Sequence, residues 1–493
     1  MDPQTEHLHF LLIPLMSQSH IIPLSDLAKL LARQGPMVSM ISTPKNANRF
    51  KALIDYAARE NLKIQLITIP FPGQQVGLPE GCENLDALPS TDLIRSFVDA
   101  YSLMQEPIEN IAKKQLEPRP SCIISTTALV WTQNLAHRLG IPRYVFQTVA
   151  PFTLVCAGRI GRFLESHDSS DLDAFWVPNL PHKIQFRKSQ LPFPESRKES
   201  GDVRKETQVS DRGSLVNSFE ELDQWYVEEQ KRVHKNFWDV GPVSLINSTG
   251  SATAKSDHYS LKWLDSMKPS SVIYACFGSM CHLSFGQLRE IGLGLEASGR
   301  PFIWVIREID YSPQVEKWLK DEKFEERVKG VVVRGWAPQV PILSHSSVGG
   351  FLTHCGWNST LEGICAGVPM LCWPMFAEQF FNETFVVDVV KIGVRIGVET
   401  HMRVGEEEKT VDREQIKAAI DQLMDEGEEG EERRETARKL SEMARNATQE
   451  GGSSYRNITL FIQDVLQLQQ QEAAEDEKVN EDRDSEITDN RVM

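Results

Sequence analysis

The chain reads as an α/β protein with two doubly wound parallel sheets. Three observations point there. At 493 residues it exceeds what one hydrophobic core organises, so two domains of ordinary size are expected. Apolar runs of strand length alternate with helical patterns in the first half, and the same alternation returns in the second. Between the halves, NSTGSATAKSDHYS (247–260) has linker composition and no hydrophobic period.

HFLLIPL (9–15) is a short apolar run that ends in the turn SQSH, and IIPLSDLAKLLARQG then follows a helical period. Leu24, Leu27, Leu30 and Leu31 share one face and Gly35 stops the helix, while Asp26 and Lys29 fall on the polar face as solvated charges. MVSMIST (37–43), the helical NRFKALIDYAARE and KIQLITI (63–69) complete a β-α-β-α-β series. SCIIST (121–126), the helix-like LVWTQNLAHRLG and RYVFQT (143–148) extend it. RFLESHDSSDLDAF (162–175) and RKSQLPFPESRKESGD (187–202) lack a period and read as loops of the kind that carry specificity.

In the second half SVIYACFGS (271–279) reads as a strand and turn, and QLREIGLGLEASG as a helix closed by Gly299. PFIWVIR (301–307), KGVVVRGW (329–336), SVGGFLTH (347–354) and VPMLCWP (368–374) are the further strands, and ligands in such sheets lie beyond the carboxyl ends of the strands. SSYRNITLFIQDVLQL (453–468) is an amphipathic final helix, and the acidic segment 469–493 is expected to be disordered.

A formal charge of −16 argues against a nucleic-acid partner, whose phosphates require basic patches. It leaves room for a small anion, because backbone N–H groups at a helix start hold phosphate without net positive charge. The eight cysteines are scattered with no CxxC pair and read as buried free thiols in a reducing compartment, with no metal site. The start lacks a basic leader and its apolar run is too short to span a membrane, so a cytoplasmic protein is expected. A monomer is the separate expectation for its assembly. His7 and His9, flanking the first strand, read as surface or satisfied histidines.

THCGWNSTLEG (353–363) packs unusual polar chemistry into one strand-to-helix turn. Trp357, Asn358 and Ser359 fall at the helix start, where unpaired N–H groups and the positive dipole end suit a phosphate. Asn358 and Ser359 can cap the helix, donate to phosphate oxygens, or both. His354 ends the strand, and Glu362, about one turn on, is an acceptor suited to vicinal hydroxyls. The plain alternative is a capped helix beside a satisfied histidine.

From Trp336 to Gln379, WAPQVPILSHSSVGGFLTHCGWNSTLEGICAGVPMLCWPMFAEQ resembles, without a gap, the donor-binding signature of plant family 1 UDP-sugar-dependent glycosyltransferases. GLPEGCENLD (77–86), LVNSFEELD (215–223), VGPVSL (240–245) and YACFGS (274–279) extend the similarity to about residue 468. The resemblance implies two Rossmann-like domains facing across a cleft, the GT-B type. It implies an acceptor domain over 1–246, a donor domain over 261–452, and a final helix (453–468) returning to the first. Trp336 would stack on uracil, with Gln339 near the uridine and Glu362 on the ribose. His354, Asn358, Ser359 and Ser279 would bind the two phosphates. Trp357, Glu378 and Gln379 would contact the sugar, and Thr148 would add a contact from the N-terminal domain. The Gln at the end of the box resembles glucose users. The implied partners are a UDP-sugar co-substrate and a small lipophilic acceptor of the triterpenoid, steroid or flavonoid kind, with no other cofactor and no metal.

The family pattern also places the catalytic base at His20, on the turn after the first strand. A near-neutral imidazole there takes a proton from an acceptor hydroxyl, and UDP leaves from the opposite face with inversion. One position departs from the pattern. Where relatives carry an aspartate that bonds this histidine, CIISTTALVWT has Thr126, which accepts a hydrogen bond but supplies no negative charge. Three readings follow: the threonine suffices, another carboxylate stands in, or the protein binds donor without efficient transfer. A dinucleotide dehydrogenase, the rival for any doubly wound protein, is excluded because SQSH stands where G-x-G-x-x-G belongs.

Overall fold

The computed structural model describes residues 3–166, 173–192, 212–234, 236–248, 258–401 and 410–489. In chain order its strands are β1 (His9–Ile13), β2 (Met37–Ser42), β3 (Ile64–Thr68), β4 (Cys122–Thr126), β5 (Arg143–Gln147), β6 (Ala174–Trp176), β7 (Gln185–Arg187), β8 (Gly213–Val216) and β9 (Phe237–Asp239). The second half adds β10 (Val272–Cys276), β11 (Phe302–Ile306), β12 (Gly330–Arg334), β13 (Val348–Thr353), β14 (Met370–Cys372) and β15 (Gly393–Arg395).

One sheet has the order β3-β2-β1-β4-β5-β8-β9, and β1 to β5 pair in parallel. The other, β12-β11-β10-β13-β14-β15, is parallel throughout. Each central strand is a short apolar run because helices cover both faces; all five residues of β1 and of β4, and all six of β13, are buried. In both sheets the order reverses once, next to β1 and next to β10. A doubly wound sheet opens a crevice at that reversal, beyond the strand ends.

The chain divides into two compact units, one of Met1–Phe146, Arg204–Leu215 and Glu450–Met493, the other of Gln147–Val203 and Val216–Gln449. The boundary expected at residue 246 is therefore displaced, and Thr148 belongs to the second unit. Packing explains it: Phe152 lies 5.3 Å from Phe385 and Phe186 lies 4.5 Å from Phe381, which ties the chain after β5 to the core of the second unit. Of the expected linker, 249–257 lie outside the described residues.

Three local expectations change. Asp26 and Lys29 are buried rather than solvated, because Tyr56 from the helix Lys51–Arg59 covers them; they pair at 2.7 Å and the ammonium sits 5.0 Å from the Tyr56 ring. The stretch 162–175 is not all loop: a helix runs to Ser166, and Ala174 opens β6, which pairs antiparallel with β7. Residues 167–172 and 193–202 lie outside the described set.

The third change is at the end of the chain. The last helix does not stop near 468 but spans Ser453–Asp489, since 469–489 holds no Gly or Pro and carries five Glu and three Gln, good helix formers. Its apolar face packs on the first unit, with Phe461 5.6 Å from Phe10 and 4.9 Å from Tyr144. Asp464 accepts from the Tyr144 hydroxyl at 2.6 Å and from Arg212 at 3.0 Å. His9 is buried with both ring nitrogens bonded, to the Pro118 carbonyl and the Ser39 hydroxyl. No helix among the described residues is long and apolar enough to cross a membrane.

Candidate active site

In the first unit the sheet reversal lies between β1 and β4, and the two residues singled out there sit on its two sides. The helix Gln18–Arg33 begins just after β1, and His20 is its third residue. Thr126 ends β4, and its hydroxyl accepts from the Leu15 N–H at 2.9 Å. The threonine thus braces the turn that leads to His20. The helix start is fastened by Asp86, which accepts from the Gln18 N–H at 2.9 Å and pairs with Arg49 at 2.8 Å.

His20 Nδ1 is sealed from solvent and has no hydrogen-bond partner among the described residues. Burial pushes the imidazole from 6.5 down to about 4. The folded chain therefore keeps His20 neutral down to about pH 4, whereas the unfolded chain takes up a proton near 6.5, so acid in that window favours unfolding. A base acting through Nε2 must carry its proton on Nδ1. Among the described residues that N–H meets no acceptor, a cost of about 1–3 kcal/mol against the useful tautomer. Thr126→Asp puts a carboxylate in that crevice. The expected result is a turnover equal to or above wild type, with the acid limb of kcat/KM moved to higher pH; wild type should stay level from neutrality to about pH 5. A tenfold slower variant with an unmoved limb would count against the base assignment.

In the second unit the reversal lies between β10 and β13, and the predicted donor residues gather there. The helix Trp357–Ala366 starts with Gly356 as N-cap and no side-chain cap. Asn358 and Ser359 are therefore its second and third residues and do not cap it; Asn358 Oδ1 accepts from Asn217 Nδ2 at 3.3 Å and Ser359 Oγ from Gln339 at 3.0 Å. Cys355 reaches the turn in a left-handed conformation, φ 63°, and Ala377, beside Glu378, does the same at φ 54°. Such strain in non-glycine residues concentrates at functional sites.

His354 is held in a slot of backbone. A Cβ on Gly278 would come within 2.5 Å of its ring, and one on Gly356 within 2.4 Å. Burial, with the Arg307 guanidinium as a smaller cause, pushes this imidazole to about 4, so it is neutral at working pH. Arg307 also donates to the Ser279 carbonyl and pairs with Asp310 at 2.7 Å, which fixes the turn after β10.

Gln339 donates to Ser359 Oγ at 3.0 Å and Glu362 Oε2 at 2.7 Å, and accepts from the Tyr274 hydroxyl at 3.3 Å. The carboxylate expected to meet a ribose is thus pre-oriented. Trp336 follows β12, three residues before Gln339, and is 69 % exposed, so its indole is open to solvent. Gln379 is buried, and its carbonyl oxygen accepts from the N–H of Met375 at 2.8 Å and Phe376 at 3.0 Å; its NH2 is the end turned elsewhere. Burial raises the Glu378 carboxyl, while the Trp357 N–H acts in the other direction.

Trp357 and Thr148 are the remaining predicted residues. The Trp357 side chain is 2 % exposed; its indole N–H donates to the Asn217 carbonyl at 2.7 Å and its ring lies 6.0 Å from Phe385, so the indole anchors the turn. Thr148 is half-buried just after β5. Arg307, Gly278 and Asn217 were not anticipated. All three lie in quoted stretches, PFIWVIR, YACFGS and LVNSFEELD, at or just beyond strand ends. Among the described residues no group of three metal-binding side chains occurs.

The family model for "UDP-glucoronosyl and UDP-glucosyl transferase" matches residues 223–428. UDP-glycosyltransferase 73C6 of Arabidopsis thaliana is 44% identical over 482 residues, covering 94% of this chain and 97% of that protein. Among solved structures, UGT73P12 of Glycyrrhiza uralensis, complexed with glycyrrhetinic acid 3-O-monoglucuronide, superposes with a TM-score of 0.87 at 36% identity, covering 97% of this chain and 99% of that one. UGT71G1 of Medicago truncatula, complexed with UDP-glucose, gives 0.74 at 26% identity over 94% and 100%. Fold, donor turn and full-length similarity agree: the chain belongs to the UDP-glucuronosyl and UDP-glucosyl transferase family and is a UDP-glycosyltransferase of small molecules.

Proposed function

We propose that this enzyme transfers glucose from UDP-glucose, with inversion, to a hydroxyl of a lipophilic plant triterpenoid, steroid or flavonoid, giving a β-glucoside. The observation that carries the reading is the second unit's turn, where an uncapped helix start, Asn358 and Ser359 lie one helical turn from a pre-oriented Glu362. In this reading the helix-start N–H groups, Asn358, Ser359 and the turn at Ser279 hold the diphosphate, and Trp336 stacks on uracil. Gln379 offers its NH2 and Glu378 its carboxylate to sugar hydroxyls; the UDP-glucose complex of UGT71G1 supports glucose as the donor.

His20 removes the proton from the acceptor hydroxyl as its oxygen bonds to the anomeric carbon and the bond to the UDP oxygen breaks. The donors around the diphosphate take up the charge that develops on the leaving group. Ile22, two residues from His20 and 42 % exposed, gives that face an apolar character suited to a lipophilic acceptor. The triterpenoid glucuronide bound by UGT73P12 favours the triterpenoid class. The same complex favours a second reading, in which the acceptor already carries a sugar.

A matrix of UDP-sugars against aglycones and monoglycosides, read by product mass and run with EDTA, tests both. The expected outcome is a hexose added from UDP-glucose to a triterpenoid or steroid alcohol, undiminished by the chelator. Products from UDP-xylose or UDP-glucuronate alone, or loss of activity with EDTA, contradict the proposal.

A further inference from the structure

The asparagine of LVNSFEELD (215–223) is wired into the turn before the helix Trp357–Ala366. Asn217 follows β8 and is 3 % exposed. Its backbone carbonyl accepts from the Trp357 indole N–H at 2.7 Å across 140 positions of sequence. Its side-chain Oδ1 accepts from the Val243 N–H at 3.0 Å, and its Nδ2 donates to Asn358 Oδ1 at 3.3 Å. There is no room for a different arrangement on the Gly241 side, where a Cβ would lie 2.4 Å from Asn217 Oδ1.

The direction of these bonds follows from chemistry. A backbone N–H only donates, so the end of the Asn217 amide that meets Val243 must be its oxygen. Its NH2 then faces Asn358, and an NH2 only donates. Asn358 must therefore offer its oxygen to Asn217 and turn its own NH2 the other way. An ionised diphosphate has acceptors only, so it needs that NH2 and is repelled by the oxygen.

We infer that Asn217 is a positioning residue for donor binding: through the Val243 N–H it sets the Asn358 amide so that a hydrogen-bond donor meets the diphosphate. The inference rests on the reading that Asn358 contacts the diphosphate. It gives the buried segment after β8 a role in selecting nucleoside diphosphates over nucleosides. It also explains why the Val243 loop and the donor turn are tied to one side chain.

Asn217→Asp tests it, because the carboxylate still accepts from Val243 but has no N–H for Asn358. Asn358 then flips to donate and turns its oxygen toward the ligand. By calorimetry, UDP binding should weaken about 10- to 100-fold while uridine binding stays within about twofold of wild type. In an Asn358→Ala background the same substitution should change UDP affinity by less than about threefold, since no amide remains to be set. If Asn358→Ala alone leaves UDP affinity unchanged, the underlying reading of Asn358 fails. If Asn358→Ala weakens UDP but Asn217→Asp does not, or weakens it equally in both backgrounds, the inference fails and that reading survives.

Should Asn217→Asp not fold, Asn217→Ser replaces it, since it too removes the N–H that faces Asn358. UDP binding weakened about tenfold in the wild-type background and by less than about threefold in Asn358→Ala is expected, and no effect or an equal effect in both backgrounds overturns the inference.

Discussion

His20→Ala should lower kcat by about 10²- to 10⁴-fold, the usual contribution of a positioned general base. UDP affinity should stay at the wild-type value, because every group assigned to the diphosphate lies in the second unit. The size of the loss follows from the site. The imidazole is neutral over the whole working range, so none of it is lost to protonation, and the Nδ1–H tautomer supplies the base. No carboxylate among its described neighbours bonds Nδ1, so no second base takes over through it. Turnover by UDP release and UDP binding by calorimetry, measured on one preparation, separate a chemical defect from a folding one. A variant that turns over at more than a tenth of the wild-type rate would remove His20 from the mechanism.

Gly278→Ala should have the largest effect on donor binding. Gly278 has φ 71°, and a Cβ there would lie 2.5 Å from the His354 ring. The left-handed backbone costs a residue with a side chain about 1–3 kcal/mol. The displaced imidazole then disturbs the turn next to Ser279, so UDP should bind about a hundredfold weaker, equivalent to about 2.7 kcal/mol. Gly299 is the matched control. Its φ is 65° and nothing lies within 4 Å of an added Cβ, so Gly299→Ala carries the backbone cost alone. That variant should melt at a lower temperature and bind UDP normally. Equal UDP affinities in the two variants would show that the His354 slot is irrelevant to the donor.

Much of the fold is legible because its signals are local. Strands covered on both faces are continuous apolar runs, and β1, β4, β10, β11 and β13 each fall within a quoted run. The donor turn is legible for the same reason: Thr353 to Glu362 are contiguous, and a strand-to-helix junction fixes where they point. What escapes the sequence is whatever another segment decides. Asp26 and Lys29 have the spacing of a solvated face until Tyr56 covers them. The partner of the Trp357 indole, the Asn217 carbonyl, lies 140 positions away.

Arg307, Gly278 and Asn217 act on the donor turn by tertiary contact, with no mark in local pattern. Thr126 is a mixed case. Its lack of charge is plain from its identity, but its bond to the Leu15 N–H requires coordinates. The division of the chain escapes for a related reason, because Phe152 and Phe186 join the second unit through side chains far along the sequence.

A crystal structure of the enzyme with UDP measures directly whether the diphosphate binds at the start of the helix Trp357–Ala366. The predicted result is uracil on the Trp336 ring, the ribose hydroxyls on Glu362, and phosphate oxygens within hydrogen-bond distance of Asn358 Nδ2 and Ser359. Electron density for UDP away from that helix start, or an Asn358 amide turned with its oxygen to the phosphates, would contradict it.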